Sequence, residues 1–154
     1  MTLFLLLLKP IKKVNDKVEI INRDIFLSTE DCIIQQCNSE SKSVKGFVKA
    51  VFEKYPEANT YGQKRVFGTC DIIHTSSGKI IVNMYAQKGI GRNSGTSAEK
   101  LDAFRKCLFS LPTNLSYAIP YKIGCGLGGG SWSKYLEIIN KFSKTRNCKI
   151  YKLV

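Results

Sequence analysis

The first rhythm along the chain is alternation. Residues 18–26 place apolar side chains in the manner of a half-buried strand, and the short run 32–37 suits a second. The period then changes. Apolar residues at 44, 47, 48, 51, 52 and 55 recur at helical spacing until Pro56, which cannot continue a helix. Residues 66–75 and 79–86 are two β-rich runs joined by Ser76-Ser77-Gly78, a hairpin signal. An amphipathic helix is expected over 97–111, with Ser97 as N-cap and Pro112 beyond its end. The rest reads as a buried strand over 116–123, a glycine loop over 124–130, a helix over 132–143 and a final strand over 148–154. The order predicts an α/β fold of three layers, a mixed central sheet with helices on both faces. No repeat or linker interrupts it.

Composition narrows the class. At 154 residues, with 44% apolar and 23% charged side chains, the chain suits one folded domain and not a disordered segment. The expected division is a flanking segment or edge strand over 1–17 and the domain over 18–154. The run Leu3 to Leu8 lacks a basic leader and a cleavage site, and is about a third of the length needed to span a bilayer. No membrane partner is expected. Six cysteines show no CxxC pairing and mostly lie in apolar runs, which suits reduced thiols in an intracellular protein, cytoplasmic or nuclear, or in the host cytoplasm were the chain viral. Neither a metal nor a cofactor is expected, and a monomer is. The net charge of +12 is spread along the chain, so it is a field that favours anionic ligands or nucleic acid without choosing among them.

Chemistry concentrates in two loops. In open α/β sheets, ligands bind where strands end and lead into helices. The loops over 38–46 and 124–130 have that placement. The second carries five glycines in seven residues between a strand and a helix. Glycine permits positive φ and close backbone approach, so successive N–H groups can converge on an oxyanion at a helix N-terminus. The natural ligand is a phosphate. The loop is neither a Walker A sequence nor a dinucleotide fingerprint, and a glycine cluster also makes a plain turn.

The stretch Ile119-Pro120-Tyr121-Lys122-Ile123-Gly124-Cys125-Gly126-Leu127, followed by Gly128, Gly129, Gly130 and Trp132, resembles the second phosphate loop of macro domains. More narrowly, it is similar to the branch of ADP-ribose-1″-phosphate phosphatases and terminal ADP-ribose glycohydrolases. Asn22-Arg23-Asp24-Ile25-Phe26 resembles the family's strand end, whose Asp accepts from the adenine amino group. Cys37-Asn38, then Lys45-Gly46 and Tyr55-Pro56, resembles the first loop and helix, and Val82 to Gln87 the next strand. The likeness covers roughly residues 18–154. It implies a macro domain fold and binding of ADP-ribose or ADP-ribose-1″-phosphate, with ADP-ribosylated protein or poly(ADP-ribose) as further partners and nucleic acid second to these. It also implies hydrolysis of ADP-ribose adducts, the alternative being a non-catalytic reader. The residues carried over for binding are Asp24, Ile25, Asn38, Val44, Lys45 and Gly46 from the first half. From the second come Gln87, Ile123, Gly124, Cys125, Gly126, Leu127, Gly128, Gly129, Gly130 and Leu153. Asn38 would orient the distal ribose, and Lys45 or Lys88 would offset negative charge during reaction.

The departures bear on activity. The glycohydrolases carry a catalytic Asp after Gly-Cys-Gly-Leu, where this chain has Gly128, and their catalytic Lys falls near Gln87 with Lys88 adjacent. Gln35 replaces a common His, and Val44 stands where glycine is frequent and would narrow the cleft. Several of these residues also have plainer readings: Asp24 as a turn cap, Lys45 as a solvated cation, Cys125 as a small buried side chain, His74 as a strand surface residue and Trp132 as core.

Overall fold

A computed structural model describes residues 17–90, 94–125 and 130–153. The flanking segment expected over 1–17 lies outside them except for Lys17. Six strands form one sheet: β1 (Glu19–Asn22), β2 (Cys32–Asn38), β3 (Cys70–His74), β4 (Ile80–Gln87), β5 (Ser116–Pro120) and β6 (Asn147–Lys152). Their order across the sheet is β1-β6-β5-β2-β4-β3, every neighbouring pair parallel except the β3–β4 hairpin. Three helices complete the layers: α1 (Gly46–Lys54), α2 (Ser97–Phe109) and α3 (Trp132–Phe142).

The alternation read from the sequence divides the core in two. On β2, Cys32 and Ile34 face the same cluster as Val82 and Met84 of β4 and Tyr117 and Ile119 of β5, and α2 and α3 close it with Phe104, Leu108, Ile139 and Phe142. The intervening residues Ile33, Cys37, Ile81 and Tyr85 face the other cluster, covered by Val51 and Phe52 of α1. Central parallel strands with both faces covered are largely apolar, and β2 and β4 are, with Gln35 and Asn83 buried between them as a hydrogen-bonded pair. This is the three-layer mixed-sheet arrangement expected. All six cysteines are free thiols. No helix among the described residues is long and apolar enough to cross a membrane.

Several boundaries differ from expectation, among them the start of β3, which lies at Cys70 and not at residue 66. Strand β1 stops at Asn22, because Asp24 takes the N-cap position of a 3₁₀ turn over Ile25–Leu27, its Oδ1 accepting from the Phe26 N–H at 2.9 Å. Helix α2 is capped by Thr96, not Ser97: Thr96 Oγ1 accepts from the Glu99 N–H while Glu99 Oε1 accepts from the Thr96 N–H, each at 3.1 Å. Thr-x-x-Glu is the capping-box pattern, and it outcompetes a Ser one place later. Strand β5 ends at Pro120 because a turn takes up residues 121–124.

Candidate functional site

The carboxyl ends of β5, β2 and β4 open into one cleft of roughly 620 Å³. Gln36 and Asn38 come to it from β2, Gln87 from β4, and Pro120 from β5; the loops after these strands and the start of α1 supply the walls. Phe47, Val48 and Tyr121 make part of its lining apolar. Phe47 is held by Phe26 of the 3₁₀ turn, ring centroids 5.9 Å apart and planes inclined at 28°.

Asn38 is committed on every side. Its Oδ1 accepts from the Glu40 and Ser41 N–H groups at 2.8 and 2.9 Å, folding the first loop back on itself. Its Nδ2 donates to the Gly89 carbonyl at 2.8 Å, tying that loop to the one after β4. The Asn38 N–H donates to the Tyr61 hydroxyl at 2.8 Å, and the Asn38 carbonyl accepts from Arg65 Nη1 at 2.6 Å. Asn38 therefore shapes the cleft, its Oδ1 and one Nδ2 N–H being taken up by the loops it ties together.

Arg65 is one of the residues that sequence reading missed, with Gln36, Lys100 and Lys122 of the lining. Besides the Asn38 carbonyl, it donates from Nη2 to the Ser41 carbonyl at 3.0 Å and from Nε to the Gln63 carbonyl at 3.2 Å, with its guanidinium 4.3 Å from the Tyr61 ring centre. A planar fork spreads its five donors over three nitrogens, and here each nitrogen takes a different carbonyl along the loop. Nothing local marked it, since it lies in an irregular stretch 27 residues beyond Asn38.

The glycine turn after β5 is built against a ring. Gly124 has φ +80°, and a Cβ there would meet Tyr135 Cε1 at 2.7 Å and Gln36 Oε1 at 3.0 Å. At Gly130 a Cβ would meet the other edge of that ring, Cε2, at 2.3 Å. The Gly130 N–H donates to the Gly124 carbonyl at 2.9 Å, closing the ends of the loop. Tyr135 itself is fixed edge-on by Phe104 at 4.7 Å. Gly126, Leu127, Gly128 and Gly129 lie outside the described residues.

Of the other residues expected here, Lys45, Gly46, Gln87, Ile123 and Gly124 line the cleft. Lys45 is the N-cap residue of α1, its side chain making no cap bond, and Gly46 opens the helix at φ +61°. Val44 does not line it but packs with the α1 cluster. Lys88 is also turned away: its amine pairs with Glu99 at 3.5 Å and lies 4.8 Å from the Phe67 ring centre. Asp24 and the exposed Leu153 follow β1 and β6, beyond the strands that bound the cleft, and Ile25 is buried in the α1 cluster. Gln35 is buried on the α1 face, donating from Nε2 to Asn83 Oδ1 at 2.7 Å.

No activated nucleophile is present among these groups. Burial pushes the Cys125 thiol up, with Lys122 a smaller opposing influence, and its sulfur donates to the Ile123 carbonyl at 3.5 Å. His74 is exposed on β3 and Trp132 packs at 5.1 Å from Tyr121. What the cleft does have is cationic: Lys45, Lys100 and Lys122 line it, and no carboxylate does among the described residues. Lys122 has φ +59°, a left-handed backbone seldom adopted by side chains other than glycine, asparagine or aspartate.

The doubly covered, mostly parallel sheet superposes on those of solved macrodomains, and this chain has the macrodomain fold. A macrodomain from Mycobacterium tuberculosis DarG superposes with a TM-score of 0.67 at 19% identity, over 86% of this chain and 95% of that one. A protein of unknown function from Bacteroides thetaiotaomicron gives 0.69 at 22%, over 89% and 98%. A macrodomain of Oceanobacillus iheyensis, solved with ADP, gives 0.55 at 17%, over 93% and 85%. No family model and no curated protein matches the sequence.

Proposed function

We propose that the chain binds ADP-ribose or a derivative of it in the cleft described above. The observation that carries this reading is the charge of the lining: three lysines and no carboxylate among the described residues, in a pocket that also offers aromatic and aliphatic wall. Such a lining suits a ligand with a diphosphate flanked by less polar rings. The start of α1 contributes unpaired N–H groups and the positive end of its dipole. The structural neighbour solved with ADP supports a nucleotide in a cleft of this fold.

Binding is the function the geometry supports best. The described lining has no carboxylate or imidazole to act as general acid or base, which favours a reader of ADP-ribose. Hydrolysis of ADP-ribose adducts, as the sequence resemblance implies, would have to rest on backbone donors polarising a phosphate or ester, with Lys45 offsetting charge. Turnover of ADP-ribose-1″-phosphate or of ADP-ribosylated protein would establish that finer reading. Calorimetric titration with ADP-ribose and with AMP tests the binding itself: ADP-ribose should bind and AMP more weakly. Absence of heat with ADP-ribose, alongside steeply salt-dependent binding of oligonucleotides, would reassign the positive field to nucleic acid.

A further inference from the structure

We infer that Gln36, more than Asn38, is the β2 side chain that hydrogen-bonds the ligand; this rests on the cleft being the binding site. Gln36 and Asn38 both line the cleft from the end of β2. Their carboxamides are in opposite states. That of Asn38 is spent on Glu40, Ser41 and Gly89, whereas Gln36 Oε1 is buried and has no hydrogen-bond partner.

The Gln36 side chain is half-buried, and its oxygen end is the part closed off from water. Gly124 flanks it, close enough that a Cβ on that residue would lie 3.0 Å from Oε1. A polar group buried in this way normally has a partner, and of the two acceptors left without one, Gln35 Oε1 and Gln36 Oε1, only that of Gln36 belongs to a residue lining the cleft. Oε1 accepts only, so turning the carboxamide toward the cleft would present it to a donor such as a ribose hydroxyl, while Nε2 carries two donors that suit a phosphoryl oxygen. The ligand class that supplies both, a hydroxyl beside a phosphate, is a phosphorylated ribose. Position agrees with this, because Gln36 adjoins the first glycine of the turn and Lys122 follows the same strand end.

This assignment has an unusual signature. A residue that only packs loses stability when altered. A residue that keeps an unsatisfied acceptor for a ligand loses affinity when altered, while the unliganded fold is unharmed or improved, since an orphaned polar atom has been removed. Gln36→Met keeps the length of the side chain and deletes the carboxamide. The experiment is calorimetric titration of the parent chain, Gln36→Met and the smaller Gln36→Ser with ADP-ribose and with AMP, beside thermal melts without ligand. For Gln36→Met the expected result is a melting temperature equal to or above the parent's, and ADP-ribose affinity reduced roughly three- to tenfold, the loss of one net hydrogen bond. Equal ADP-ribose affinity in the parent and Gln36→Met would overturn the assignment alone. Melting temperatures lowered in step with affinity, or loss of folding in both variants, would place Gln36 in the core and overturn it too. If the parent bound neither nucleotide, the cleft reading would fall and this inference with it.

Discussion

Replacing Gly124 by Ala should destabilise the fold far more than a single methyl group ordinarily does. At φ +80° an L-residue meets its own carbonyl, which costs roughly 1–2 kcal/mol. The new Cβ would also lie 2.7 Å from Tyr135 Cε1 and 3.0 Å from Tyr135 Cζ. The ring has no room to retreat, because Phe104 holds its other side at a centroid distance of 4.7 Å. Overpacking of this kind adds about 1–3 kcal/mol, for a total of about 2–5 kcal/mol. Gly68 provides the control: its φ is +86°, yet nothing lies within 4 Å of its Cβ position, so Gly68→Ala should show the backbone strain alone. Urea unfolding of both variants measures the difference. A cycle with Tyr135→Leu then isolates the ring, and a coupling of about 1–3 kcal/mol is expected, bringing the cost of Gly124→Ala down to that at Gly68. If Gly124→Ala costs no more than Gly68→Ala in the parent background, the ring does not dictate glycine and the reasoning fails.

Arg65→Lys should weaken ADP-ribose binding while AMP binding changes little, because an ammonium has one nitrogen where the guanidinium gives the Asn38, Ser41 and Gln63 carbonyls one each; about 1–3 kcal/mol is at stake in the titration. Lys122→Gly should raise stability by about 0.5–1 kcal/mol, the strain relieved at φ +59° less the entropy glycine adds to the unfolded chain, while affinity for ADP-ribose falls with the lost charge; a lower melting temperature would contradict this. The fold should also be lost in alkali. Burial pushes the Tyr61, Tyr135 and Tyr151 hydroxyls up from 10.0 to about 12, so the folded chain holds protons that the unfolded chain releases. Stability is then complete below pH 10 and declines as pH rises from 10 toward 12, and the tyrosinate absorbance should lag until unfolding. A smooth ionisation of all tyrosines near pH 10 with the fold intact would refute it.

The order of elements was legible in the sequence because it depends on local period. Alternate residues of β2 and β4 separate into two cores, and Pro56 and Pro112 lie just beyond α1 and α2, as hydrophobic spacing and backbone sterics require. The capping box at Thr96 and Glu99 was equally local and would have placed the start of α2. The glycine turn was legible as a place, though the reason for Gly124 and Gly130 was not, since it is a ring on α3. Tertiary structure alone decided what each polar group does. Asn38 is held by a partner 51 residues away and Lys88 is drawn to Glu99, while Gln36 is left with an acceptor unmet. Periodicity fixes which face a side chain takes; which atoms it meets there depends on chain segments far apart in sequence, and only the packed fold brings those together.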